Sequence, residues 1–475
     1  MLHLKSKWRC FFKKYRGVFF QRGKTMRKFL YRLTICLCLW VPTAYAETGY
    51  LFSVNIFGFG SRSVSLIDPV TNTILNATLS SFDEGASPRN IAANPTGTIV
   101  YITVRGDQNV VYVIEAQDLI ILQTISVGNA PEAIVASPDG TKLYVADQTD
   151  KTISVIDVES GYQITEIIPL ETTGFGPSGM AISPDSSTLY VCNSEDNIIS
   201  VIDTESNTVT HSIAMQSGDW PLFIILNADG TTAYVANQDA GTVSVIDTAT
   251  LEITATIPVG NDSSSQPTSI ALNPDTHTAY TTNQADNTIS VIDTDLNILT
   301  SNIEAGNAPT SIVTKFDNTI AYVAIKNDGV ISVLDLNSNT FTDTIEMESF
   351  PLNLALFYEV TADISPTTVD FSNEYLGATS AAQTVTLTNT DGPPVTISDI
   401  TTTGDFSQTN TCTSSITSGN TCTISIVFTP TELNTRTGTL TIIDNTSESP
   451  HTIQLSGTAS DLTLSSGGCS LVTDK

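Results

Sequence analysis

The chain has 475 residues, more than one domain usually holds, so its length predicts at least two domains. Its 49 acidic residues outnumber the 20 basic ones and give a formal net charge of −29. A surface of this charge repels nucleic acid and anionic membranes, which excludes both as partners. Solubility outside the cell explains this charge, and attraction of an unidentified protein or surface ligand that is cationic is the alternative.

The first 46 residues differ from the rest of the chain in charge. They contain 11 of the 20 Lys and Arg residues and no Asp or Glu. From Met26 onward, a basic start precedes the apolar run LTICLCLWV and the small-x-small pattern Ala44-Tyr45-Ala46. This order is typical of a secretory signal peptide, here cut before Glu47. We expect Met26 to be the true start, and export to the periplasm, cell surface or medium without a remaining transmembrane anchor. A membrane-anchored N-terminus is the alternative.

Seven prolines recur at intervals of 42 to 46 residues and mark the starts of similar units. They are Pro88, Pro131, Pro177, Pro221, Pro267, Pro309 and Pro351. One full unit reads PEAIVASPDGTKLYVADQTDKTISVIDVESGYQITEIIPL and contains four short apolar runs. The turn signals SPDG, DQTDK and DVESG separate these runs, and no unit has a helical period. Each unit is therefore predicted to form a four-stranded antiparallel meander.

The two ends of the repeat region are incomplete in complementary ways. Three strand-like runs, YLFSVNIF, SVSLID and ILNATLS, precede the first full unit without an opening strand. The run PLNLALF at 351–357 is an opening strand without followers. Together they predict a seventh sheet shared between the two ends, which closes a seven-bladed β-propeller over residues 48–358.

The repeated stretches SPDGTKLYVADQTDKTISVID and NADGTTAYVANQDAGTVSVID resemble the YVTN-type β-propeller repeat. That family occurs in secreted and cell-surface proteins of bacteria and archaea. The resemblance extends over about 300 residues. It implies an all-β propeller in an exported bacterial protein.

A second, Thr- and Ser-rich segment at 362–459 contains short alternating runs such as QTVTLTN, CTISIVFTP and GTLTIIDN. This pattern predicts an immunoglobulin-like β-sandwich. Cys412 and Cys422 are close enough to form a loop-closing disulfide in an oxidising compartment. The run TCTSSITSGNTCTISIVFTP resembles the Ig-like domain of the ASPM–SPD-2–Hydin group and of bacterial choice-of-anchor proteins, in which a Cys pair brackets a Gly turn. Residues 460–475 are predicted to be a flexible tail.

No local motif for catalysis is present. His211, His277 and His451 belong to no common motif, and the chain contains no HExxH, CxxCH or GxxxxGK[ST] sequence. Cys192 replaces the Ala of other units and is interpreted as a small buried thiol. We therefore expect no cofactor and no catalytic residue.

The predicted rim of the propeller is acidic. Its loops carry the carboxylates Asp147, Asp150, Asp196, Asp239, Asp286 and Asp328. Two explanations remain open for them: local turn chemistry, and oxygen ligands for Ca²⁺. Trp220, Phe175 and Phe350 lie in the loops between units and are candidate partner-binding aromatics.

These observations favour a non-enzymatic, secreted or surface-exposed interaction protein that uses the propeller rim for recognition. The alternative is a periplasmic propeller enzyme, either lactonase-like or a quinoprotein- or haem d1-related oxidoreductase, because those families share the fold. A propeller that binds a substrate without turnover is a third reading.

Overall fold

The computed structural model describes residues 49–56, 63–79, 86–174, 176–390 and 392–461. The predicted signal peptide and almost all of the predicted tail lie outside these residues. The described residues form β-strands and contain no helix, hence none that could cross a membrane.

The first three strands are β1 (Gly49–Ile56), β2 (Ser63–Asp68) and β3 (Thr73–Leu79). Blade 1 follows with β4 (Ser87–Ala93), β5 (Ile99–Arg105), β6 (Val110–Glu115) and β7 (Ile120–Ser126). Blade 2 contains β8 (Pro131–Ala136), β9 (Lys142–Asp147), β10 (Thr152–Asp157) and β11 (Gln163–Pro169). Blade 3 contains β12 (Pro177–Ile182), β13 (Thr188–Asn193), β14 (Ile198–Asp203) and β15 (Thr208–Ala214).

Blade 4 contains β16 (Pro221–Leu226), β17 (Thr232–Asn237), β18 (Thr242–Asp247) and β19 (Glu252–Pro258). Blade 5 contains β20 (Pro267–Asn273), β21 (Thr278–Asn283), β22 (Thr288–Asp293) and β23 (Ile298–Glu304). Blade 6 contains β24 (Pro309–Thr314), β25 (Ile320–Ile325), β26 (Val330–Asp335) and β27 (Thr340–Glu346). The propeller ends with β28 (Phe350–Tyr358), which joins β1, β2 and β3 in blade 7.

Ring closure through both ends of the propeller is confirmed. β28 pairs antiparallel with β1, so that Leu51 lies opposite Leu356 and Ser53 opposite Leu354. The inner strands contact one another in cyclic order, and β28 contacts both β24 and β4. The predicted seven-bladed propeller is therefore a closed ring in which every blade has two neighbours.

The repeated SVID run ends the third strand of most blades with a side-chain cap. Asp157 Oδ1 accepts the backbone N–H of Ser160 at 2.6 Å, and Asp203 Oδ1 accepts that of Ser206 at 2.7 Å. The apolar residues of the run are buried on both sides because each sheet lies between two others. One short sequence thus serves both the packing of the blades and the turn to the outer strand.

The second domain is a two-sheet sandwich, as predicted. Its strands are β29 (Asp363–Ser365), β30 (Thr368–Tyr375), β31 (Gln383–Thr388), β32 (Val395–Thr402), β33 (Phe406–Asn410), β34 (Ser415–Ile416), β35 (Thr421–Phe428), β36 (Asn434–Asp444) and β37 (His451–Ser460). The sheet β29-β31-β35-β33 packs on the sheet β30-β37-β36-β32-β34 around Phe371, Phe406 and Phe428. The structure contains the Cys412–Cys422 disulfide.

Candidate functional site

One face of the propeller carries both the connections between blades and the loops from second to third strands. We call it the upper face. The two sets of loops are hydrogen-bonded to each other: Asn129 N–H donates to Asp150 Oδ2 at 2.7 Å, and Asn307 N–H donates to Asp328 Oδ2 at 2.8 Å. The turns from first to second strands and from third to fourth strands form the opposite, lower face.

A charged group lies where the inner strands of blades 1 and 2 begin at the upper face. Arg89 and Glu132 each follow the opening proline of their inner strand, and Arg105 ends the second strand of blade 1. Arg89 donates from Nε and Nη2 to the two Glu132 oxygens at 3.0 and 2.8 Å. Arg105 Nη2 forms an ion pair with Glu132 Oε2. We call Arg89, Arg105 and Glu132 the channel cluster, because the inner strands of a propeller surround its central channel.

Neighbouring side chains hold the channel cluster in place. Arg105 Nη2 also donates to Gln148 Oε1 at 2.7 Å, and its Nε donates to the Pro131 carbonyl at 3.4 Å. Thr103 Oγ1 donates to the backbone carbonyl of Glu132 at 2.8 Å. The Glu132 main chain and the Arg105 guanidinium are therefore both fixed by blades 1 and 2.

The channel cluster has a positive surplus because two guanidinium groups share one carboxylate. The pKa of Arg105 is lowered, mainly by burial and in part by Arg89, while Glu132 acts in the opposite direction. The guanidinium nevertheless remains charged, as arginine does throughout proteins. The side chains keep about a quarter of their surface open, with exposed fractions of 27% for both arginines and 23% for Glu132. Such a group can bind an anion or stabilise an oxyanion, and its carboxylate can accept a proton.

Most of the predicted rim carboxylates cap the connection that leads into their own blade. Asp196 accepts N–H groups from Thr173 at 2.9 Å and Gly174 at 3.2 Å, and Asp286 accepts the N–H of Asn261. Asp150 and Asp328 do the same at the connections described above. Asp239 donates its own N–H to the Asp219 carbonyl at 3.2 Å. Within the described ranges, no three His, Cys, Asp or Glu side chains are grouped so that they could hold a metal ion.

Asp147 differs from the other rim acids because its side chain is fully buried. Its Oδ2 accepts the Ser154 hydroxyl at 2.6 Å and lies against Gly128 of the incoming connection. Burial raises the pKa of Asp147 to about 6. Three other blades have an asparagine at this position, and each donates to the serine in the third strand of its own blade. These residues are Asn193, Asn237 and Asn283.

The aromatic candidates are not alike. Trp220 has a left-handed backbone with φ 53° just before the opening proline of blade 4, and its N–H donates to Asn197 Oδ1 at 2.8 Å. Phe350 begins β28 and is 39% exposed. Phe175 lies outside the residues that the structure describes. The Trp220 carbonyl also accepts the N–H of Gln238 at 3.0 Å, so the backbone of this residue is held on both sides.

The remaining candidates lie apart from the channel cluster. His277 is in a lower-face turn and pairs with Asp295 at 2.7 Å, His451 pairs with Asp444 in the second domain, and His211 is in the outer strand β15. Cys192 is fully buried, and burial raises the pKa of its thiol. A buried thiol of raised pKa is a poor nucleophile, in agreement with its interpretation as a packing residue.

Two family profiles match the chain. The family described as "Lactonase, 7-bladed beta-propeller" matches residues 53–162 and 160–256. The family described as "Abnormal spindle-like microcephaly-assoc'd, ASPM-SPD-2-Hydin" matches residues 361–452. The chain therefore contains a propeller similar to the lactonase family and an Ig-like domain of the second family. Among curated proteins, none matches the chain significantly.

Solved structures with a similar fold cover the propeller. A candidate 6-phosphogluconolactonase of Bacteroides uniformis is 16% identical with a TM-score of 0.57. A candidate 6-phosphogluconolactonase of Bacteroides fragilis is 19% identical with a TM-score of 0.56. The periplasmic gluconolactonase PpgL of Pseudomonas aeruginosa is 15% identical with a TM-score of 0.54. Each similarity covers 66% of this chain and 99% of the other, and at these identities it shows the fold.

The prediction of a non-enzymatic interaction protein is contradicted by the match to the lactonase family, which supports the alternative instead. That prediction depended on the leader, the acidity, the pairing of the two domains and the absence of local catalytic motifs. The sequence analysis did not single out the channel cluster, because its residues come from three strands in two blades. The composition could have drawn attention to these residues, since only four arginines follow residue 46 and two of them are in the channel cluster.

Proposed function

We propose that the protein is a lactone hydrolase whose reaction takes place at the channel cluster. The observation that carries the proposal is the lactonase-family match, because its first segment, residues 53–162, contains all three residues of the cluster. Similarity of fold alone would be weaker support, since one propeller architecture serves many functions.

The chemistry of the cluster suits lactone hydrolysis. Attack of water on the lactone carbonyl creates an oxyanion, and a guanidinium donates to a developing oxyanion more strongly than to a neutral carbonyl. Arg89 and Arg105 would take this role. Glu132 would accept the proton of the attacking water and return it to the ring oxygen as the C–O bond breaks. The product carries a new carboxylate, which the positive surplus of the cluster can hold until release.

The test is release of acid from purified protein supplied with δ-gluconolactone, 6-phosphogluconolactone or γ-butyrolactone, measured by titration at constant pH. Glu132→Gln removes the base and keeps the size of the side chain, so kcat/KM should fall by about a hundredfold or more. Glu205→Gln in an exposed turn is the matched control and should leave the rate unchanged. Wild-type protein that does not exceed the uncatalysed rate on any of the three lactones would refute the proposal.

We also propose that the protein is exported and that the repeats are of the YVTN type. The support for export is the signal-peptide pattern ending at Ala46 and the Cys412–Cys422 disulfide, since disulfides persist in oxidising compartments. The support for the repeat type is the recurrence of stretches such as NADGTTAYVANQDAGTVSVID. Fractionation of cells that produce the full chain should find the protein outside the cytoplasm with Glu47 as its first residue. Cytoplasmic protein that retains the first 46 residues would contradict export.

A further inference from the structure

We propose a second binding site, for a small cationic amphiphile, in a cavity on the lower face of the propeller. The cavity has a volume of about 860 Å³ and lies where the inner strands of blades 4 to 7 end. Binding cavities for small molecules usually have volumes of about 300–1,000 Å³, so one small ligand would fill it. None of the channel-cluster residues lines this cavity, and the site is independent of the proposed hydrolase activity.

Much of the cavity wall is apolar. Six half-buried side chains from four inner strands line it: Phe223, Ile225, Leu226, Leu272, Val313 and Leu356. When an alkyl chain displaces water from these side chains, binding becomes more favourable by roughly 25 cal/mol for each Å² of apolar surface buried. The walls therefore favour a ligand with an aliphatic part.

The rim of the cavity is acidic. Asp229 and Asp295 lie at its edge, and no Lys or Arg is among the described residues that line it. Hydrogen bonds from the Thr231 hydroxyl and N–H lower the pKa of Asp229, so its carboxylate is ionised at neutral pH. Asp295 is paired with His277, whose pKa it raises. The charge next to the apolar walls is thus negative, and it selects an alkyl chain that ends in an ammonium group.

The experiment compares three octyl probes below their micellar concentrations: octyltrimethylammonium, octyl sulfate and octyl glucoside. Calorimetric titration of the mature protein should show binding of the ammonium probe about threefold or more tighter than binding of the other two, consistent with one exposed charge contact. Equal binding of octyl sulfate, or no binding of the ammonium probe at millimolar concentration, would overturn the proposal.

Two substitutions locate the site. Asp229→Asn should weaken binding of octyltrimethylammonium about threefold, whereas Asp185→Asn, in the equivalent turn of blade 3, should not change it. Leu272→Arg places a cation inside the cavity and should abolish binding. Equal affinity in the Asp229→Asn and Asp185→Asn proteins would contradict the assignment even if Leu272→Arg failed to fold. Glu132→Gln should leave this binding intact, which separates the site from the hydrolase proposal.

Discussion

Replacement of Asp147 by Asn should stabilise the propeller at neutral and alkaline pH. Asp147 is fully buried in a position where three other blades have asparagine, and burial raises its pKa from the usual 3.8 to about 6. The folded protein therefore binds the proton more tightly than the unfolded chain does. The stability that the protonated acid provides is complete below about pH 4 and is lost as the pH rises through 6.

The magnitude follows from the pKa difference. A shift of about two pKa units corresponds to roughly 3 kcal/mol, because each unit is worth about 1.36 kcal/mol. Above about pH 7, Asp147→Asn should raise the free energy of unfolding by up to that amount, and near pH 4 it should change it little. Asparagine can also donate to Ser154, as Asn193 does to Ser200 at 2.9 Å.

The assay is urea unfolding of the mature protein followed by tyrosine fluorescence at about pH 4, 6 and 8. Asn193→Asp is the matched control, since it creates the same buried carboxylate in blade 3 and should destabilise the protein at the highest pH. An Asp147→Asn protein whose urea midpoint equals that of the wild type at about pH 8 would refute the reasoning.

Three further predictions concern the two domains. Tyr322→Phe should cost about 1 kcal/mol in unfolding experiments, because the Tyr322 hydroxyl donates to the Pro69 carbonyl at 2.8 Å and joins blade 6 to blade 7. Replacing Cys412 and Cys422 by Ala should lower the free energy of unfolding of the second domain by about 2–3 kcal/mol, measured from the unfolding transition of that domain. Reducing agent should destabilise the wild type but should not change the unfolding of this variant. In mature protein carrying Cys469→Ser, which removes the thiol of the predicted tail, Cys192 should resist a thiol reagent in the folded state and react in urea, since it is fully buried; rapid labelling of that folded variant would contradict its place in the core.

The propeller could be predicted from the sequence because its signals are local and repeated. Asp157 and Asp203 cap turns within their own hairpins, so each SVID run indicates the end of a third strand and the turn that follows it. Ring closure was also visible, because PLNLALF at 351–357 lacked the three strands that the other end supplied.

The candidate site could not be predicted in the same way. Arg89 meets Glu132 only because the inner strands β4 and β8 lie side by side, a contact between units rather than within one. The rim acids show the same dependence on contacts between blades: Asp150 and Asp196 accept backbone N–H groups of the connection from the preceding blade, which agrees with the explanation by local turn chemistry. Residue type and local spacing do not show contacts between blades.

The most direct test of the central claim is the initial rate at which wild-type protein opens δ-gluconolactone, compared with that of the Arg89→Gln/Arg105→Gln protein. The account predicts a rate above the spontaneous reaction for the wild type and a loss of about a hundredfold or more in the double variant. A folded double variant that hydrolyses the lactone as fast as the wild type would show that the channel cluster is not the site.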